Sequence, residues 1–579
     1  MSVTYIDIET NGLLDSGDRI VCLGYCRDGE FGISHSKEIT PKLTEINKDP
    51  VIIGHNIIGF DSPFIRKLHR WWDPPNVRDT LVLSRMLFPD LADSDWRRVR
   101  RKEFPVQLVG SHGLKAWGYR LGVNKGTFME ENMEDIYNIQ YSEKLGRYCL
   151  RDVEITRKLY KLCRSMQPTR TSVLLEHHFA QIIQNQMERG IRFDTHAAEK
   201  LTAELQIERA KLIADLERIF RPNKKKLKTM TKVTPFNPGS RAQLVARLRE
   251  QGWKPDKFTE AGNEVMDESA LSGLRGRYNG IELIERYFVV DKRLSQIAEG
   301  NKSWMNHVKD GRIHGYVNSC GAVTGRCTHS NPNLAQVPKA DADTPYGPQC
   351  RALFIPDPGC VMLGVDAVAL ELRCLAHYMA EFDRGAYSKV VLSTEDIHSY
   401  HQKITGIETR SKTKNGFYAY IYGAGDENLG ITIGETKNPR AAGREFRVRF
   451  NKALPALASL VNSVHGLVKS DKLFAIDGRK LSCRSQHAAL NTLLQSAGAI
   501  IVKEATVRID AAFRQVFKHH APQQLLHIHD EIQFQARKEI AKEAASIAER
   551  CFTEAGESFG VKCRMDGSAK IGSNWKETH

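Results

Sequence analysis

An apolar run from Cys360 to Val365 leads directly into a carboxylate, Asp366. A short run of this kind predicts a buried strand. Over residues 369–382 the apolar positions fall at helical spacing, with Leu370, Cys374 and Met379 beside Leu372, Leu375 and Tyr378. Asp366 is therefore expected where a strand ends and a helix begins. Much later, residues 525–528 and 532–534 read as two short strands, with His529, Asp530 and Glu531 at the bend. At the other end of the chain, residues 1–9 read as a strand whose period of two puts Asp7 and Glu9 on one face. Residues 51–61 read as a strand running into a loop that carries Asp61. Tyr148 and Asp152 are four apart, on one face of a predicted helix. Residues 174–192 predict an amphipathic helix ending at Gly190, and residues 195–220 a longer one. Arg410, Lys414, Tyr418 and Tyr422 recur every four residues on one helix face, which Gly423 and Gly425 end. His487, Asn491 and Gln495 repeat the same spacing, while Leu490, Leu493 and Leu494 point elsewhere, into a core.

The chain has 579 residues, enough for several domains. At 41% hydrophobic and 26% charged, the composition is that of an ordinary globular protein. Lys and Arg number 84 against 69 Asp and Glu, a net charge of +15. That balance favours a polyanionic partner without separating DNA from RNA or an acidic membrane surface. The first residues already read as a strand, so no signal peptide is expected, and no apolar run is long enough to span a membrane. The 12 cysteines are scattered with no CxxC pair, which argues against zinc and fits the buried thiols of a cytosolic protein.

A carboxylate at the end of a buried strand is costly unless something pairs with it. Hard cations prefer carboxylate and carbonyl oxygens. Asp366 and Asp530, each at a strand end, can hold two Mg²⁺ ions between them, the arrangement that clamps the attacking and leaving oxygens of a phosphoryl transfer. A lone Asp at such a place is ordinarily a turn or helix-cap residue, and the surrounding motifs decide against that. Asp7, Glu9, Asp61 and Asp152, with Tyr148 orienting a water, make a second, hydrolytic two-metal set. Asp79 opens a structural or substrate-side segment. A helix presenting Arg410 and Lys414 and then Tyr418 suits a nucleotide, the cations for the triphosphate and the ring for base and sugar. The basic run Lys224, Lys225, Lys226 to Lys232 reads as a loop between helices that suits duplex phosphates, against the plainer reading of a solvated loop. His398 and His401 form an HxxH pair, but without further ligands a metal there is not expected.

The stretches around Asp366, Arg410 to Tyr422 and Asp530 resemble motifs A, B and C of family A DNA polymerases, the DNA polymerase I-like family. The pattern is most similar to replicative polymerases of short-tailed bacteriophages. The N-terminal set resembles the DEDD 3′–5′ exonucleases of the tyrosine subtype. The resemblance implies a multidomain α/β and α+β chain, with a ribonuclease H-like exonuclease domain ahead of a right-hand polymerase. Its parts would be exonuclease 1–165, thumb 166–305, palm 306–380, fingers 381–485 and palm again 486–579. It implies two Mg²⁺ per active site, with Mn²⁺ a possible substitute, held by Asp366, Asp530 and the carbonyl of Ala367 at one and by the four N-terminal acids at the other. It places Lys414 as proton donor to pyrophosphate, His398 and Arg410 on phosphate, Tyr418 on the nucleotide and Glu371 against a ribose 2′-hydroxyl. Arg326, Gln336, Tyr422, Arg484, His487, Gln495 and His529 would contact primer–template DNA, and Glu531 would be a helper or a structural carboxylate. dNTPs and a replicative helicase or primase follow as partners, in the cytoplasm of an infected bacterium. Some relatives carry a thumb insertion that recruits thioredoxin, and residues 220–235 leave no room for one. The alternatives are a repair or translesion polymerase of the same family, a phage-type RNA polymerase, against which Glu371 and the exonuclease set argue, and a non-catalytic nucleic-acid-binding protein.

Overall fold

The computed structural model describes residues 3–579 apart from 124, 127, 129–136, 227–230, 256–257, 259–261, 263 and 267. The chain divides into two compact units. The first gathers residues 1–188, 317–328 and 363–570, and the second residues 189–316, 329–362 and 571–579.

The first unit holds two sheets. The N-terminal sheet orders its five strands as Glu30–His35, Ile20–Arg27, Thr4–Thr10, Ile52–Gly54 and Val77–Asp79. Its first three strands pair antiparallel and the last two add in parallel, so Thr4–Thr10 lies at the centre. The Glu143–Ser165 helix packs on this sheet through a stripe that includes Leu145, Cys149, Val153 and Leu159. Burying each such apolar side chain is worth roughly 1.5–3 kcal/mol. Gly24 permits the close approach: it pairs with Asp7 across the strands, and a Cβ there would meet Cys149 Sγ at 2.8 Å.

The second sheet orders Gln523–Ile528, Glu531–Arg537, Cys360–Ala367 and Gly567–Gly572. It lies in a large core with the Leu370–Asp383, Arg410–Ile421 and Ala489–Phe517 helices. The expected strand-to-helix switch after Asp366 is present. Ala369 sits in the left-handed region at φ 50° and the helix begins at Leu370. The strands around Asp530 are also as expected, joined by a two-residue turn, His529-Asp530.

The second unit is built on the Thr195–Ile219 and Ile281–Leu294 helices, which the Arg209–Asp291 ion pair joins; Arg209 also pairs with Glu299 just beyond the second helix. A small sheet orders Phe354–Ile355, Ile191–Phe193, Arg312–Ile313 and Val308–Lys309. Beside it Phe354 packs against Phe193, Trp304 and Trp575, and Arg351 stacks on the Trp575 ring. The basic run expected as a loop is instead an antiparallel hairpin, Asn223–Lys226 with Thr231–Thr234. Thr and Val at alternate positions suit a strand, and the lysines masked that pattern in the sequence. The side chains of Lys224, Lys225 and Lys226 lie outside the described residues.

No helix among the described residues is long and apolar enough to cross a membrane. All twelve cysteines are free thiols, and only Cys360 and Cys483 are not fully buried.

Candidate active sites

The first site forms where the Cys360–Ala367 strand lies beside the hairpin. The Ala367 amide donates to the Asp530 carbonyl at 3.1 Å, and the Val368 amide to the Asp566 carbonyl at 2.9 Å. Asp366 and Asp530 are thereby brought to neighbouring strand ends, both half-buried. Asp566, the third acid nearby, is already neutralised by Arg373 at 2.6 Å and Arg564 at 2.8 Å. His529 holds φ 57°, a conformation a side chain adopts only at a cost of about 1–2 kcal/mol. Its pKa is lowered, by burial first and then by the neighbouring Arg326. Glu531 is buried and accepts from Gln533 Nε2 at 2.8 Å.

The predicted cation–tyrosine helix runs Arg410–Ile421 with Tyr422 as its C-cap. Gly423, at φ 84°, cannot be replaced without strain, because a Cβ would meet the His487 carbonyl at 1.8 Å. Tyr422 donates its hydroxyl to both carboxylate oxygens of Glu371, at 2.8 and 2.7 Å. That contact ties this helix to the one that follows Asp366. Arg410 is forked onto Asp396, whose carboxyl it holds far below the usual range. Arg410 is exposed and Asp396 partly so, which makes the pair weak and exchangeable. Lys414 is exposed and makes no ion pair among the described residues. His398 is 7% exposed, with its ring 5.5 Å from Tyr418. Burial, Lys414 and Arg410 lower its pKa, so it is neutral near pH 7. His401 is a core residue, bonded to the Tyr387 hydroxyl at 2.9 Å and packed on Phe417.

The remaining expected DNA contacts are dispersed. Arg326 is half-buried in a tight loop, its carbonyl accepting from the amides of Gly321 and Ala322. Gln336 belongs to the second unit and is exposed, its carbonyl accepting from Gln296. Arg484 is exposed. His487 does not share a helix face with Asn491 and Gln495 as predicted. It lies in a 3₁₀ turn, Gln486–Ala488, which Ser485 caps, and the long helix begins only at Ala489. Asn491 and Gln495 do share a face.

The second site is more compact. Oxygens of Asp7 and Glu9, with Cys149 Sγ, lie within 4.8 Å of one another. Asp61 opens the Asp61–Leu68 helix and accepts from the Ile8 amide at 3.1 Å. Asp152, 3% exposed, reaches the group from the helix that also carries Tyr148. Burial raises all four carboxyl pKa values, and the acids raise one another further for Asp7 and Glu9. Asp61 is pushed up to about 7 and Asp152, despite Lys125, to about 6. Burial and Asp152 also raise the Tyr148 hydroxyl, against the pull of Lys125. Such a group of buried acids fits divalent cations, which would relieve both the repulsion and the desolvation. Asp79 is a structural carboxylate: it accepts from the amides of Asn56, Ile58 and Leu81 at 2.8, 3.1 and 2.8 Å.

Two features had no sequence signal. Lys125 lies 2.7 Å from Asp152. Glu176 is fully buried and bonded by Lys503 at 2.7 Å and Arg479 at 2.6 Å. Neither pattern has a period, and the partners of Glu176 are some 300 residues away, 303 and 327 positions along the chain.

Residues 206–577 match the sequence profile of DNA polymerase family A. The DNA-directed DNA polymerase of Enterobacteria phage T3 is 34% identical, over 99% of each chain. That of Escherichia phage T7 is 33% identical, again over 99% of each. Among solved structures, the POL domain of Pol1 from M. smegmatis, in complex with DNA primer-template and dNTP, superposes with a TM-score of 0.76 at 17% identity. That alignment covers 100% of this chain and 96% of the other. The chain belongs to DNA polymerase family A.

Proposed function

We propose that the protein is a replicative, template-directed DNA polymerase that proofreads at a separate 3′–5′ exonuclease site. The observation that carries the synthetic half is the backbone bond between Ala367 and Asp530, which sets two candidate metal ligands on adjoining strand ends. Asp366, Asp530 and the Ala367 carbonyl would hold two Mg²⁺, or Mn²⁺ in its place. When bound, the ions lower the pKa of the primer 3′-hydroxyl and carry charge on the triphosphate.

The chain's own residues do the rest. Lys414, exposed and without an ion pair among the described residues, meets the triphosphate and supplies a proton to pyrophosphate. Arg410 trades Asp396 for phosphate, and His398 contributes a neutral hydrogen bond. Tyr418 lies under the nucleotide. Glu371, held by the Tyr422 hydroxyl, stands against a ribose 2′-hydroxyl and so favours deoxynucleotides. Arg326, His529, Gln495, Arg484, His487 and Gln336 serve the primer–template, and the paired strands at 223–226 and 231–234 grip duplex phosphate in a thumb spanning 166–305.

At the exonuclease site Asp7, Glu9, Asp61 and Asp152 would hold the metal pair and Tyr148 orients the attacking water. The alignments to the T3 and T7 enzymes run over 706 and 711 positions, well beyond the 579 residues here. Between Ile219 and Arg241 the described residues form just the paired strands Asn223–Lys226 and Thr231–Thr234. Both facts support a polymerase without a thioredoxin-binding insertion; a replicative helicase or primase as partner and an infected bacterial cell as setting complete the proposal. Primer extension on a defined template, with and without dNTPs, tests both activities at once. Extension with dNTPs and shortening without them is the expected result, and loss of either refutes that half.

A further inference from the structure

We propose that Lys125 is a positioning residue of the exonuclease site: a resident counter-ion that holds Asp152 among the other acids and competes with a divalent cation for it. The inference rests on reading the four acids as a metal site. The Lys125 ammonium lies 2.7 Å from Asp152 Oδ2 and 5.2 Å from the centre of the Tyr148 ring. It thus touches both members of the helix that are four residues apart. The carboxylate it binds is 4% exposed and the lysine side chain 20%, so the pair is screened from water on the acid's side. The other oxygen, Asp152 Oδ1, is buried and has no hydrogen-bond partner, so the carboxylate is only half satisfied by protein. Asp7, Glu9 and Asp61 make no ion pair among the described residues.

One ammonium therefore meets Asp152 directly and acts at longer range on Asp7 and Glu9. It offsets enough repulsion to keep Asp152 pointing into the group, and it leaves the rest of the charge for incoming cations. A divalent ion binding Asp152 must displace or share that ammonium, and its affinity is reduced accordingly. A surface lysine that merely met an acid would not have this effect, because water would screen it.

The test uses the full chain carrying Asp366→Asn and Asp530→Asn, so that the other carboxylate pair contributes no binding, and Mn²⁺ as the probe. Lys125→Gln should tighten Mn²⁺ binding by on the order of tenfold, as expected for removing one nearby positive charge. It should also lower the melting temperature in EDTA, with the difference disappearing in saturating Mn²⁺. Lys125→Arg, which keeps the charge, should behave as the parent in both. Unchanged or weaker Mn²⁺ binding by Lys125→Gln overturns the proposal, as does an unchanged melting temperature in EDTA. Asp7→Ala in the same background separates the two ideas. If it leaves Mn²⁺ binding intact, the metal-site reading fails; if it removes binding while Lys125→Gln changes nothing, only the role of Lys125 fails.

Discussion

Glu176 and Asp61 are both carboxylates with almost no exposed surface, in the same compact unit, and they shift in opposite directions. Burial pushes each upward. For Glu176 the Lys503 and Arg479 charges outweigh burial and bring it below the usual range. For Asp61 burial prevails and carries it up to about 7. Among the described residues, cations meet one buried acid and not the other. Where the charge is structural, the partners are covalently part of the chain. Where chemistry is proposed, the acids are left short of positive charge, and one lysine stands in for Asp152. The Asp366–Asp530 pair takes a third course: both acids are only half-buried and so partly open to solvent.

The sharpest way to break this contrast is by activity. Asp530→Asn should reduce synthesis by a factor on the order of 10³ or more and leave primer shortening intact. Asp7→Ala should do the reverse in the same gel assay. A variant that folds yet loses both activities would refute two independent sites.

Next in size is the structural acid. Glu176→Gln leaves Lys503 and Arg479 without their shared anion and should destabilise the chain by about 3–5 kcal/mol, as removing one partner of a buried pair does. Urea unfolding measures it, and the loss should be the same with and without Mn²⁺.

The pH dependence of stability follows from the raised acids. Asp61 and Asp152 keep their protons in the folded protein up to about 7 and about 6, while an unfolded Asp loses its proton near 3.8. The folded state therefore binds more protons across that window, so stability present below about pH 4 is lost as pH rises towards 7. Melting temperatures in EDTA should fall over this range, and saturating Mn²⁺ should flatten the curve. An equal fall in both conditions would mean that the acids are not a cation site.

The smallest effect belongs to Tyr422→Phe. Losing its hydrogen bond to Glu371 should cost about 0.5–1.5 kcal/mol of stability, and ribonucleotide incorporation should rise because Glu371 is no longer held. Incorporation assays with a single rNTP would show it.

Much of the arrangement at both candidate sites was legible in the sequence, for particular reasons. The Asp366 strand announced itself because an unbroken apolar run ended in a charge. Asp7 with Glu9 and Tyr148 with Asp152 were readable because strand and helix periods fix which side chains share a face. Lys125 was not, since it lies outside regular secondary structure and its relation to Asp152 is only spatial. Glu176, Lys503 and Arg479 are joined across more than half the chain, where no local pattern reaches. His487 misled because the four-residue spacing continues through a 3₁₀ turn that has a different period.

The two incompletely buried thiols carry a practical consequence. Cys360 begins the strand that bears Asp366 and falls in the second unit, while Cys483 falls in the first. A maleimide dye offered to the native chain would meet these two sulfurs before the other ten. Donor and acceptor fluorophores at the pair would then record, molecule by molecule, whether the units change separation during a catalytic cycle.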